Sequence, residues 1–123
     1  MPYPRWLAKV NKSVFNPREV MKGERPVVVH VGRRSGNVYQ TPIDAHPSEG
    51  GYLLVVRYGP GSDWVRNVVA AGGASLRVDG EEINLDSPRL VSPEEAVDEL
   101  APGAAPGKDF FKAEHYLLLD WSG

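Results

Sequence analysis

The sequence predicts an α+β fold in which about six short antiparallel strands curl into a small closed or half-closed barrel, flanked by two or three helices. Three observations carry that expectation. The chain has 123 residues, enough for one hydrophobic core but not for a separate second domain, so residues 1–123 are read as one unit. Its 13 glycines and 11 prolines cut it into short segments and disfavour a helical bundle. Between those breaks, β-branched and alternating apolar runs recur, with a helical crossover among them.

The elements are expected in the following order. Trp6, Leu7, Val10, Val14 and Phe15 recur at helical spacing within residues 5–15, with Arg5, Lys9 and Lys12 on the other face. This reads as a core-packing helix; peripheral contact with a membrane surface through its basic face is the alternative. Val27-Val28-Val29-His30-Val31 is continuous and β-branched, as in a strand buried on both faces. Gly32 to Gly36 is a turn, Val38 to Thr41 alternates as a strand, and Pro42 marks an edge or bulge. A turn at Ser48–Gly51 leads into a strand from Tyr52 to Tyr58, and these three strands are expected to form a meander.

Gly59-Pro60-Gly61 ends that strand, and Ser62 or Asp63 caps a helix. Trp64, Val65, Val68 and Val69 are its expected apolar face, with Arg66 opposite and Asn67 at the border. Gly72-Gly73 stops it. Leu76 and Val78 lie on a strand, Asp79-Gly80 is a hairpin signal, and Ile83 and Leu85 lie on the returning strand. Ser92-Pro93-Glu94-Glu95 is a capping box with proline at the first helical position, and Ala96, Val97 and Leu100 are expected to pack inward. Tyr116 to Leu119 is the last expected strand.

Composition excludes several kinds of chemistry. A net charge of −2 gives no global field for nucleic acid or anionic lipid, so any anion site must be local. The absence of cysteine removes disulfides, thiolate metal sites and thiol nucleophiles. His30, His46 and His115 show no ligand spacing and no carboxylate cluster, so no metal is expected. Gly-x-Ser-x-Gly, P-loop and dinucleotide glycine motifs are missing. No signal peptide or membrane-spanning run is apparent, and a cytoplasmic location is the default expectation.

Two segments carry chemistry. In Gly32-Arg33-Arg34-Ser35-Gly36, glycines free the backbone, two guanidinium groups suit phosphate or carboxylate, and Ser35 adds a hydroxyl. In Tyr58 to Asn67, a strand end runs into a helix N-terminus, where free N–H groups and the helix dipole favour an anion. Tyr58 and Trp64 would flank an aromatic ring system, and Asn67 would bond a carbonyl-type edge. Taken alone, the same residues also suit a solvated basic turn and an ordinary core tryptophan.

The order of these motifs is more specific than any one of them. His30-Val31-Gly32-Arg33-Arg34-Ser35-Gly36, then Tyr39-Gln40-Thr41-Pro42, then Gly51 to Val56, then Asp63-Trp64-Val65-Arg66-Asn67, resembles the deazaflavin-dependent nitroreductase family. That family belongs to the split β-barrel flavin and deazaflavin oxidoreductases. The likeness covers roughly residues 26–91. It implies a split β-barrel and coenzyme F420, an 8-hydroxy-5-deazaflavin with a phosphate and a polyglutamate tail. By the resemblance, Arg33, Arg34, Ser35 and Gly36 would hold the anionic tail. Thr41 and Pro42 would line the ring, and Tyr58, Gly59, Trp64 and Asn67 would complete its pocket.

The segment Lys108 to Lys112 departs from the tyrosine-rich stretch of the nitroreductases. The expected acceptor is therefore a small hydrophobic molecule, an activated C=C, an enone or a fatty-acid-like compound ahead of a nitro compound. Phe110, Phe111 and Tyr116 are the expected wall of the substrate pocket, and Tyr58 or Tyr116 is the candidate proton donor. The implied protein is an F420-dependent oxidoreductase acting on a small molecule, as a monomer or homodimer. The alternatives are an FMN enzyme on the same barrel, with the arginine turn on its phosphate, and a non-catalytic carrier of coenzyme or lipid.

Overall fold

The computed structural model describes residues 26–104, 110 and 112–122. The expected N-terminal helix within 5–15 and residue Phe111 lie outside the described residues. Strands β1 (Val27–Val31), β2 (Val38–Pro42), β3 (Ala45–Pro47) and β4 (Gly51–Val56) precede helix α1 (Asp63–Ala71). Strands β5 (Gly73–Val78) and β6 (Glu81–Val91), helix α2 (Pro93–Glu99) and strand β7 (His115–Trp121) follow.

The described strands form one seven-stranded antiparallel sheet in the order β2-β1-β5-β6-β7-β4-β3. Its two edge strands are consecutive in the chain, separated only by Ile43 and Asp44. A link of that length spans at most roughly 11 Å, so the sheet must curl until its edges meet. Hydrogen bonds follow the same path. The Ile43 N–H donates to the Pro26 carbonyl at 3.0 Å on the β1 side, and the Val55 N–H donates to the Asp44 carbonyl at 2.9 Å on the β4 side. Residues 38–47 thus act as one bent strand, paired first with β1 and then with β4. Counted this way, the barrel has the expected six staves.

The curl needs a second bend. In β6 the register with β7 shifts between Asp86 and Arg89, and Ser87 takes a φ of 56°. Such a bulge re-aims a strand at a barrel corner. It lets the 11-residue β6 pair with β5 along its first half and with β7 along its second. The expected meander is corrected here: β2 pairs with β1 and does not reach β4, because β3 and β7 flank β4.

The interior is filled by Val28, Ile43, Leu54, Val56, Leu76, Leu85, Leu117 and Leu119, with Val65 and Val68 of α1 packed among them. A second cluster lies on the other face of β4 and β7, where Leu53, Val55, Tyr116 and Leu118 meet Ala96 of α2 and Phe110. One end of each helix is set by local chemistry. The α1 C-terminus closes on Gly72, in the left-handed region, whose N–H reaches the Val68 and Val69 carbonyls. The α2 N-terminus is a reciprocal capping box: Ser92 Oγ accepts from the Glu95 N–H, and Glu95 Oε1 accepts from the Ser92 N–H.

Three local expectations need correction. Val69 and Val97 are each about half exposed rather than packed inward. Asn67, placed at the border of its helix, is buried at 5% exposure. The Ser62 side chain makes no cap hydrogen bond and donates instead to the Gly59 carbonyl at 2.9 Å. Among the described residues, no helix is long and apolar enough to cross a membrane.

Candidate functional site

Residues on β1 alternate between the barrel interior and the outside. Val28 enters the core, and His30, two residues on, lies on the same face of the strand and lines a cleft. Directly opposite His30 on β2 is Tyr39, and opposite Val28 is Thr41. The β1–β2 hairpin therefore delivers His30, Tyr39 and Thr41 to one face. Helix α1 runs past that face and adds Asp63, Trp64 and Asn67, which share one side of the helix by their spacing of one, three and four residues.

Together these residues line a cleft of about 590 Å³, with Gly32, Arg33, Arg34, Ser35 and Gln40 at its rim. That volume is in the usual range for a small-molecule site. A smaller hollow of about 220 Å³ lies on the other side of the turn, between Val31, Gly32, Arg33, Arg34, Gly36 and the end of α1 at Ala70 and Ala71. Both arginines thus border both spaces.

The turn is built tightly. Gly32 N–H donates to the Asn37 carbonyl at 2.8 Å, and Gly36 N–H donates to the Gly32 carbonyl at 2.9 Å. Gly36 has a φ of 75°, which an L side chain rarely adopts. Gly32 is needed for space: an added Cβ would sit 2.7 Å from Tyr39 Cε2 and 2.8 Å from Ser35 Oγ. The N–H groups of both glycines are therefore spent on the hairpin itself.

The two arginines have different roles. Arg33 is tied to α1: its main-chain N–H donates to Asn67 Oδ1 at 3.1 Å, its Nη1 to the same oxygen at 2.7 Å, and its Nη2 to Asp63 at 3.2 Å. Arg34 is exposed and makes no ion pair among the described residues. Asp63 offsets Arg33, which leaves Arg34 as the uncompensated cation of the cleft.

His30 forms the floor. It is 3% exposed, and burial lowers its pKa to about 4, with Asp63 opposing the shift, so the ring is neutral at pH 7. One ring nitrogen, Nδ1, lies 3.1 Å from Asn67 Nδ2, and the other, Nε2, lies 2.9 Å from Thr41 Oγ1. Tyr39 stacks over the ring at a centroid distance of 5.9 Å, and its hydroxyl lies 3.3 Å from Ser35 Oγ.

Of the residues expected around a cofactor, the structure brings Arg33, Arg34, Ser35, Thr41, Trp64 and Asn67 to the main cleft, and Gly36 to the adjoining hollow. Pro42, Tyr58 and Gly59 are not among the lining residues. Tyr58 is 91% exposed on the loop that precedes α1. Phe110 and Tyr116 lie in the second core cluster, with rings 4.8 Å apart, and Tyr116 Oη donates to the Phe110 carbonyl. Burial raises the Tyr116 pKa, so its proton is held. Apolar packing under α2 directs both rings away from the cleft.

His30, Tyr39, Gln40 and Asp63 line the cleft, although the sequence assigned them no role in the site. Two signals were available. His30 stands two residues before the glycine-arginine turn, and Asp63 precedes Asn67 by one helical turn. No group of three or more metal-ligating side chains occurs among the described residues.

Comparison with known proteins gives one family. Residues 9–101 match the family described as F420H(2)-dependent quinone reductase. The matched span contains every cleft residue and ends before Phe110 and Tyr116. Among curated proteins, none matches the chain.

Proposed function

The chain belongs to the F420H(2)-dependent quinone reductase family, and from that premise we propose that its cleft binds reduced coenzyme F420 beside a quinone and reduces the quinone. That it is an F420-dependent oxidoreductase follows from the family. The acceptor and the residue roles are our reading.

The residues present fit the coenzyme. A deazaflavin with a long anionic tail asks for a flat, half-apolar recess joined to a cationic strip. The cleft supplies Trp64, Tyr39 and the neutral His30 around the recess, and Arg33 and Arg34 on the turn that divides it from the smaller hollow. That juxtaposition is the observation that carries the proposal. Arg34, Ser35 and the Arg33 guanidinium would hold phosphate and carboxylates, and Trp64 and Tyr39 would flank the ring.

When bound, reduced F420 supplies a hydride, and the quinone takes up that hydride and one proton to become a hydroquinone. The chain's own part is to bind, orient and exclude water. His30 keeps a neutral floor, which avoids a cation under an electron-rich ring. Asn67 holds the arginine turn against α1, so the tail site and the ring site keep a fixed separation. Tyr39 and Thr41 present hydroxyls at the recess.

The test is anaerobic oxidation of reduced F420 by a water-soluble naphthoquinone, run beside an enone and a nitroaromatic. The reading expects the quinone to be the best acceptor by kcat/KM. Preferential reduction of the enone or the nitroaromatic would overturn the quinone assignment and leave the coenzyme in place.

A further inference from the structure

We propose that a one-way chain of hydrogen bonds from Arg33 through Asn67 and His30 frees the hydrogen of the Thr41 hydroxyl to donate to a conjugated carbonyl oxygen in the cleft; the ligand's identity rests on the F420–quinone reading above.

The direction follows from the chemistry of each group. Arginine has donors only. The side-chain atom of Asn67 that receives the Arg33 N–H at 3.1 Å and Nη1 at 2.7 Å must therefore be its oxygen. That places the Asn67 amide NH2, again a donor, 3.1 Å from His30 Nδ1. Nδ1 must then accept and carry no hydrogen. The buried ring is neutral, so its one hydrogen sits on Nε2, which donates to Thr41 Oγ1 at 2.9 Å.

Thr41 Oγ1 now has an acceptor position filled from below. Its own hydrogen is left to point elsewhere, and among the described residues the hydroxyl has no second partner. Thr41 is half-buried and lines the cleft. A hydroxyl fed in this way is polarised by the chain behind it. With one lone pair taken by His30, its free hydrogen suits a carbonyl oxygen at the same spot. Conjugated carbonyls occur on the deazaflavin ring and on a quinone, and the chemistry at Thr41 is common to both. Thr41 is thus assigned as a binding residue, and His30 and Asn67 as positioning residues behind it.

The experiment has two parts. In the ligand-free protein with 15N-labelled histidine, the ring nitrogens of His30 should report the Nε2–H tautomer at pH 7. An Nδ1–H ring overturns the chain. In the second part, Thr41→Val and Thr41→Ser are compared for affinity toward oxidised F420 and for KM toward a naphthoquinone. Thr41→Val should weaken one of the two by about tenfold or more, and Thr41→Ser, which keeps the hydroxyl, should recover most of that loss. Weakened F420 binding places the carbonyl on the coenzyme; a raised quinone KM alone places it on the acceptor. A Thr41→Val variant that matches the unaltered enzyme in both overturns the donor assignment. If unaltered protein shows the Nε2–H ring yet binds no F420, the functional reading fails while the hydrogen-bond chain stands.

Discussion

Asn67 Oδ1 lies 2.7 Å from Nη1 of Arg33 and 3.1 Å from its main-chain nitrogen, so one buried side chain on α1 holds both ends of the residue that starts the arginine turn. The two residues are 34 positions apart. The contact fixes the β1–β2 hairpin against the helix, and the cleft is the space left between them.

Replacing Asn67 by Leu removes that tie and leaves an arginine N–H and a histidine nitrogen without their partner. A loss of about 2–4 kcal/mol of folding stability is expected, as for other broken buried networks. Urea unfolding measures it. A loss below about 0.5 kcal/mol would show that the tie is not structural.

Arg33 and Arg34 should separate in their effects. Arg34→Ala should leave stability nearly unchanged and weaken binding of tailed F420 by about 1.5–3 kcal/mol, the value of a hydrogen bond to a charged group. Affinity for a tail-less deazaflavin should change far less. Arg33→Ala should lower both stability and affinity, because its guanidinium also serves Asn67 and Asp63. Equal losses of tailed and tail-less ligand in Arg34→Ala would remove the tail-binding role.

The pH dependence of stability has a defined sign. Burial lowers the His30 pKa from 6.5 to about 4, against the pull of Asp63. The unfolded chain therefore takes up this proton at a higher pH than the native protein does. Stability is intact above about pH 6.5 and falls as pH drops toward 4, by up to about 3 kcal/mol from this residue. His30→Gln keeps a donor and an acceptor but does not titrate. Its stability should fall less steeply between pH 7 and 5, by about 2 kcal/mol relative to the unaltered protein. Parallel curves would contradict the buried neutral ring.

Gly51 tests the barrel itself. An added Cβ there would lie 1.8 Å from the Leu119 carbonyl oxygen, across the β4–β7 pairing. Backbone offers no way to yield, so Gly51→Ala should fail to give soluble folded protein or unfold with a loss above about 3 kcal/mol. Gly61→Ala, where nothing lies within 4 Å, is the control and should be neutral.

Local chemistry was readable from the sequence, and contacts between distant segments were not. The Asp79-Gly80 hairpin, the Ser92 capping box and the Gly72 stop depend on neighbours within a few residues, and each appears in the structure. The arginine turn was readable for the same reason. Asn67 was expected at the pocket and at the border of its helix, but not buried, because its burial comes from docking α1 on β1, where it meets His30 and Arg33. The same docking turns Val69 outward. Phe110 was expected in the pocket because an aromatic pair suits a ligand wall; the apolar underside of α2 takes it instead. Strand β3 has only three residues, one a proline, and exists because the barrel must close there.

The most direct test of the central claim is an equilibrium titration of the purified protein with oxidised F420 and, side by side, with FMN, read by fluorescence. The account predicts saturable one-to-one binding of F420, weakened about tenfold or more by Arg34→Ala, with FMN binding far more weakly. FMN bound as tightly as F420, or F420 affinity indifferent to Arg34, would contradict it.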